Sequence, residues 1–253
     1  MKKIIILLCL TFSLFSASAT DTMEAKKLFE HSTQKLSLQN IRLVLDLETF
    51  DGKGNCKTKE LTVSYAQFDD ERKVLIELLA PENVMGTKIV TTDYPDKKGI
   101  IEIYMPATGR VQKIRANQRN LKIIGTEIPI EQFKSAIDKD FEFTFLEKTD
   151  LNDTHCQKIK IQSPEEKGYR IAFVSIDKEQ LMSIEQYDIK GKLVGVTEFS
   201  NYIEVANSNA KFFPQMILVK NLKSGKSSDL KVRQVNHLSQ VNSDDFILTP
   251  TQS

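Results

Sequence analysis

The chain contains no tryptophan, and only three histidines and three cysteines among 253 residues. These shortages exclude several kinds of chemistry. His31, His155 and His237 do not stand at metal-ligand spacing, and no cluster of cysteine and histidine accompanies them, so the usual zinc patterns are absent. His155 adjoins Cys156, but two residues do not make a site. Nucleophile elbow, phosphate loop and dinucleotide fingerprint are all missing. Charge of one sign is lacking too. Thirty-five basic residues are interspersed with 34 acidic ones for a net charge of +1, which gives no electrostatic reason to expect nucleic acid or an acidic surface as partner. Low-complexity tracts, proline-rich linkers and charge blocks do not divide the chain, so one domain is expected.

Long hydrophobic runs are scarce, and the exception is at the start. Lys2 and Lys3 precede an apolar run from Ile4 to Phe15, and Ala17-Ser18-Ala19 follows. Positive residues, a short apolar stretch and small residues in that order make a cleavable secretory signal, with cleavage expected near Ala19/Thr20. The run is shorter than the ~20 residues of a membrane span. Cys9 lies inside it behind Leu8, which does not fit a lipid-attachment site. The expected product is residues 20–253, a soluble periplasmic domain. Losing Lys2 and Lys3 takes the basic residues from 35 to 33 against 34 acidic ones, a net charge of −1. Cys56 and Cys156 are then the remaining cysteines. An oxidising compartment permits a disulfide between them, and the sequence leaves bridged and free states equally open.

What is present is mostly β pattern. A helix is predicted over residues 21–34, where Ala25, Leu28, Phe29 and Ser32 form a stripe of helical spacing. The period then changes to two. Ile41, Leu43, Leu45 and Leu47 alternate with Arg42, Val44, Asp46 and Glu48, and Leu61, Val63 and Tyr65 alternate beyond the turn at Asp51-Gly52-Lys53-Gly54. Similar segments follow at 72–79, 87–92, 99–105, 111–115, 141–148, 156–162, 169–176, 181–188, 193–199, 215–222 and 229–235. Turn signals such as Lys190-Gly191-Lys192 and Ser224-Gly225-Lys226 separate them. Their spacing predicts one large antiparallel sheet, curled or closed. A second helix is predicted after Pro129, with Ile130, Phe133, Ala136 and Ile137 on one face. The acidic clusters, Asp69-Asp70-Glu71 and Glu165-Glu166, read as solvated turns. Glu127 and Glu131 read as acids at a helix start. Nothing here reads as an enzyme, a metal site or a cofactor site. Phe141, Phe143 and Phe145 share one face of a strand, as do Leu43, Leu45 and Leu47. Each set fits either an ordinary core or the wall of a ligand pocket.

One stretch carries more than periodicity. Residues 80–133 contain Pro81, Gly86 and Thr87, then Tyr104, Pro106, Gly109, Arg110, Lys113 and Ile114, then Gly125, Thr126, Glu127 and Phe133. In that order they resemble the outer-membrane lipoprotein-sorting family, the LolA-like single-domain carriers. The chain departs from the family pattern in having Ile103 before the tyrosine, Glu127 where aspartate is usual, and Ile123-Ile124 before Gly125. The resemblance implies a mainly β (α+β) fold: an incomplete antiparallel barrel of about eleven strands, with short helices forming a lid over a hydrophobic cavity. It also implies a monomeric periplasmic carrier that shields acyl chains between inner and outer membranes. An RND-type transporter would serve as donor and an outer-membrane acceptor would receive the cargo. On that reading the acyl-contact candidates are Leu43, Leu45, Leu47, Leu61, Val63, Tyr65, Met105, Phe133, Phe141, Phe143, Phe145, Ile171 and Phe173. Arg110, Lys113 and Arg115 face either a headgroup or solvent. A lipid sensor acting on an envelope-stress regulator is the alternative, and an envelope hydrolase is a remote one.

Overall fold

The computed structural model describes residues 19–34, 39–69, 71–94, 99–115, 122–123, 126–128, 141–164, 167–205 and 212–248. The leader up to residue 18, the helix predicted after Pro129 with Phe133, and Gly125 lie outside the described residues. Helix α1 spans Ala19–Gln34. It buries Ala25, Phe29 and Ser32, packs Leu28 against the core and leaves Met23 exposed, so the stripe read from the sequence is the face that packs.

Among the described residues thirteen strands follow, where the family resemblance implies about eleven. Each alternating segment of the sequence forms its own strand, because a turn isolates each from the next. The first six are β1 (Ile41–Phe50), β2 (Cys56–Gln67), β3 (Arg72–Ala80), β4 (Lys88–Asp93), β5 (Ile100–Met105) and β6 (Arg110–Arg115). The other seven are β7 (Glu142–Leu151), β8 (Thr154–Gln162), β9 (Gly168–Ser175), β10 (Leu181–Asp188), β11 (Leu193–Glu204), β12 (Phe212–Asn221) and β13 (Lys226–His237). They make a single antiparallel sheet in the order β6-β5-β4-β3-β2-β1-β13-β12-β11-β10-β9-β8-β7. Chain neighbours pair throughout except at the centre, where β1 meets β13. Register shifts interrupt five of the strand pairings, and such bulges bend and twist a sheet. The sheet curves but does not close.

The strand order has a consequence for the inner face. Its two edges, β6 and β7, are consecutive in the chain, so the connection between them must pass from one edge to the other. Its described part lands in the middle. Ile123 and Ile128 are fully buried in the main core, and the Glu127 N–H donates to Ser228 Oγ on central β13 at 2.8 Å.

The turns show why the sequence motif looks as it does. Between β3 and β4 the chain turns over Pro81–Gly86, where Gly86 adopts φ +77° and its N–H donates to Leu78 O at 2.8 Å. A side chain there would also meet Pro106 Cγ at 3.2 Å. The β5–β6 turn ends on Gly109 at φ +62°. Pro81, Gly86, Pro106 and Gly109 are therefore turn residues of two hairpins packed side by side, and glycine is needed where φ is positive.

Two smaller clusters lie on the outer face. Ala66, Leu75 and Val90 are covered by Phe246, from a 3-10 turn at Ser243–Phe246. Cys156, Ile171 and Phe173 pack with Tyr169, Met182 and Tyr187 on the other half of the sheet. Among the described residues no helix is long and apolar enough to cross a membrane.

Candidate functional site

Strand register puts the apolar residues in line across the inner face. Leu43, Val63, Ile76, Ile89 and Ile103 form one row over β1 to β5. Leu47, Leu230, Ile217 and Phe199 form another over β1, β13, β12 and β11. On the far half, Phe145 opposes Ile159, which opposes Ala172, which opposes Ile184. All of these belong to, or pack against, one core cluster. The wall of a half-barrel is thus a single apolar surface.

Two coverings lie on it. Helix α1 sits over β7, β9 and β10, with the Phe29 and Phe143 rings tilted against each other at 5.5 Å between centroids. The second covering among the described residues is made by residues 122–123 and 126–128. The Ile123 N–H donates to Ile128 O at 3.0 Å, which closes it into a small loop. Thr126 ties that loop together, its hydroxyl donating to Ile123 O and accepting from the Ile128 N–H. The loop is fastened to the sheet by Glu127. Its carboxylate pairs with Lys122 Nζ and accepts from Asn221 Nδ2 at 2.9 Å. Burial pushes the Glu127 pKa up, but the hydrogen bonds from Lys122 and Asn221, with the charges of Lys122 and Lys226, outweigh it and hold the carboxyl below its ordinary value of 4.5.

A folded-state pKa below the unfolded one contributes stability that is present above the unfolded value and is lost as pH falls through the folded value. Urea titrations between pH 7 and pH 3 should therefore show the wild type losing stability below about pH 4.5, with Glu127→Gln losing less over the same interval. At pH 7 Glu127→Ala should cost about 1.5–3 kcal/mol, the usual range for hydrogen bonds to a charged group.

The predicted acyl-contact residues divide between the two faces. Leu43, Leu45, Leu47, Leu61, Val63, Tyr65 and Phe143 lie buried in the main cluster, with Phe141 and Phe145 packed against it. Met105 is half-buried at the end of β5, opposite Arg110. Ile171 and Phe173 are placed differently. They alternate with Ala172 and Val174, which face the inner cluster, and so stand on the outer face with Cys156. Phe133 lies outside the described residues. Periodicity alone did not single out Ile123, Ile128, Val74, Ile76 or Leu78. The last three do stand at spacing two in β3, but Leu75 between them is also apolar, so the strand carries no clear alternation to read.

The predicted headgroup contacts all lie on β6. Lys113 is exposed and pairs with Glu102 at 2.9 Å. Arg110 is exposed at the β5–β6 turn. Arg115 ends β6, opposite Ile100. A different cation is at the inner wall. Lys59 lies opposite Leu47 in β2, in register with Leu61 and Val63, and is only 7% exposed. Burial, and then the charge of Lys57, lower its pKa from the ordinary 10.5. Cys56 and Cys156 are both free, one exposed and one buried. The first is on β2 and the second on β8, strands well apart in the sheet order, so the possible bridge is not made. Among the described residues no three His, Cys, Asp or Glu side chains come together as a metal site.

An open antiparallel sheet curled around one apolar face, with a helix across it, is the architecture of the lipoprotein-sorting, LolA-like proteins. Solved structures agree on the fold. A putative outer membrane lipoprotein-sorting protein domain from Vibrio parahaemolyticus superposes with a TM-score of 0.78 at 16% identity, over 88% of this chain and 96% of that one. A DUF1329 family protein from Desulfovibrio piger gives 0.78 at 15% identity, over 90% and 97% of the two chains. A LolA superfamily protein from Nitrosomonas europaea gives 0.68 at 13% identity, over 88% and 97%. In sequence, a family model described as "Uncharacterized protein"-like matches residues 70–249, and the chain belongs to that family. No curated protein matches it in sequence. The LolA-like resemblance carried by the motif between Pro81 and Phe133 is borne out.

Proposed function

We propose that the protein is a periplasmic carrier of lipid or lipoprotein acyl chains. It is exported by its leader, shields chains on the inner face of the half-barrel, and moves them from an inner-membrane donor of the RND type to an outer-membrane acceptor. The observation that carries this reading is the apolar inner face, continuous across the sheet and covered by separate pieces, α1 and the loop at 122–128. A chain that takes their place exchanges one apolar contact for another. Each methylene it buries contributes about 0.8 kcal/mol, while displacing the coverings subtracts from that gain, so binding stays reversible. No covalent step is required, and an acceptor with more favourable burial would drive release. Leu43, Leu45, Leu47, Leu61, Val63 and Phe143 would form the wall in contact with the chain.

The test is native mass spectrometry and lipid extraction on protein purified from the periplasm of its own host. Masses of co-purifying acyl lipid, lost on delipidation and regained from labelled vesicles, are the expected result. Protein that carries no lipid and takes none up from labelled vesicles would overturn the carrier reading. Recovery of a membrane regulator's periplasmic domain in pull-downs, without an exporter, would favour a sensor instead.

A further inference from the structure

Lys59 has no evident structural purpose where it stands. Its neighbours in register are Leu47 and Leu61, both fully buried. Among the described residues its ammonium makes no ion pair or side-chain hydrogen bond. The carboxylates nearest in register are unsuitable. Glu48 and Glu60 alternate with Leu47, Lys59 and Leu61 and so face the other side of the sheet, where Glu60 meets Arg233 at 3.2 Å. Glu127 is taken by Lys122 and Asn221. The other charge that bears on Lys59 is Lys57, two residues along the strand, exposed and of the same sign. The side chain is held largely out of water with no counter-charge on its face, which desolvates the cation in part and costs stability relative to an aliphatic side chain. In a purely structural wall, methionine or leucine would serve better.

The position also has a direction. Lys59 is at the β1–β2 turn end of the inner face and Tyr65 is at the opposite end of the same strand face. The six residue steps between them span about 20 Å at strand rise, comparable to a long acyl chain laid out straight. Leu61 and Val63 line that path on β2, and Leu43, Leu45 and Leu47 line it on β1.

We infer that Lys59 is the anchor for the anionic head group of the cargo, so that the half-barrel selects amphiphiles with a carboxylate or phosphate at the head and a long chain running toward Tyr65. This rests on the acyl-carrier reading and adds to it a charge requirement and a polarity for the bound chain. Lys57, exposed beside the same turn, adds a second positive charge at the entrance. The anion replaces the missing counter-charge. Neutral lipids of equal length would bury the same apolar area and leave Lys59 unpaired.

The test uses cis-parinaric acid and its methyl ester, whose fluorescence rises in an apolar site, with the wild type and Lys59→Met at pH 8. The wild type should bind the acid at least tenfold more tightly than the ester. Lys59→Met should bind both alike, with the ester affinity unchanged, and its urea midpoint should equal or exceed that of the wild type. Displacement of the acid by palmitate or by lysophosphatidic acid then tells a carboxylate head from a phosphate one. Equal binding of acid and ester by the wild type would overturn the head-group assignment and leave the carrier reading intact, as would a preference that survives in Lys59→Met. A lowered urea midpoint in the variant would assign Lys59 to packing and equally overturn it. If the wild type binds neither probe, the carrier reading fails and the assignment falls with it.

Discussion

Replacing Leu45 with aspartate is expected to abolish the folded state. Leu45 is fully buried on β1, the strand that joins the two halves of the sheet, and its cross-strand neighbours are Leu61 and Val232. The side chains directly opposite a carboxylate there, those of Leu61 and Val232, offer neither a cation nor a hydrogen-bond donor. The effective penalty for burying one such ion is several kcal/mol, and loss of the leucine packing adds about 2–5 kcal/mol. A domain stable by about 5–15 kcal/mol overall has little left after that. The expected result is insoluble protein, or soluble protein without a cooperative urea transition. The control lies one residue away. Asp46 faces the outer side and pairs with Arg233 at 3.1 Å in a partly exposed setting, so Asp46→Asn should change stability by about 1 kcal/mol or less. If Leu45→Asp melts like the wild type, the assignment of Leu45 to the inner face is wrong.

The second large effect is expected at Phe143. This ring is almost fully buried at the edge of the inner wall, against Phe29 of α1. Truncation to alanine should cost about 3–5 kcal/mol, with the cavity adding to the lost transfer energy. The loss should also be uneven. Because α1 rests mainly on β7, with lesser contact to β9 and β10, removal of the ring should release α1 before the centre of the sheet. Hydrogen exchange should quicken throughout α1 amides while β1 and β13 keep their protection. Phe29→Ala should reproduce the local release. If exchange in α1 stays unchanged in both variants, the helix is held by other contacts and does not act as a separable cover.

Much of this architecture was legible in the residue pattern, and the places where it was not have physical causes. Alternation at spacing two located the strands, and the motif from Pro81 to Phe133 pointed to the LolA-like fold. At β3 and β9 the pattern was ambiguous because both faces of these strands are apolar. Leu75 turns outward because the chain after β13 returns to cover that side with Phe246. In β9 the bulkier Ile171 and Phe173 looked like the inner wall, yet the smaller Ala172 and Val174 hold that place, on a part of the inner face that α1 occupies. Nothing local to β9 records where a helix more than a hundred residues earlier will pack.

The candidate site divides in the same way. Leu43, Leu45, Leu47, Leu61 and Val63 were readable because one face of their strands is polar and the other is not. The role of Glu127 was not. In sequence it is an acid near a predicted helix start, and its partners Asn221 and Ser228 lie about a hundred residues away. Lys59 was equally silent, since one lysine in an alternating strand is ordinary until register shows which side it takes.

By itself, then, the sequence determined α1, the strand segments, the turn geometry at Gly86 and Gly109, and the likeness to the LolA-like fold, because these depend on residues close together in the chain and on rules of local conformation. Tertiary structure alone decided that the sheet stays open, that its two edges are consecutive strands, and that the described part of the connection between them docks Glu127 over β13. It also decided that Cys56 and Cys156 stay apart and that Lys59 lies against the apolar wall. Each of these depends on which strands become neighbours, and the pairing of β1 with β13 brings together segments that nearly the whole length of the domain separates.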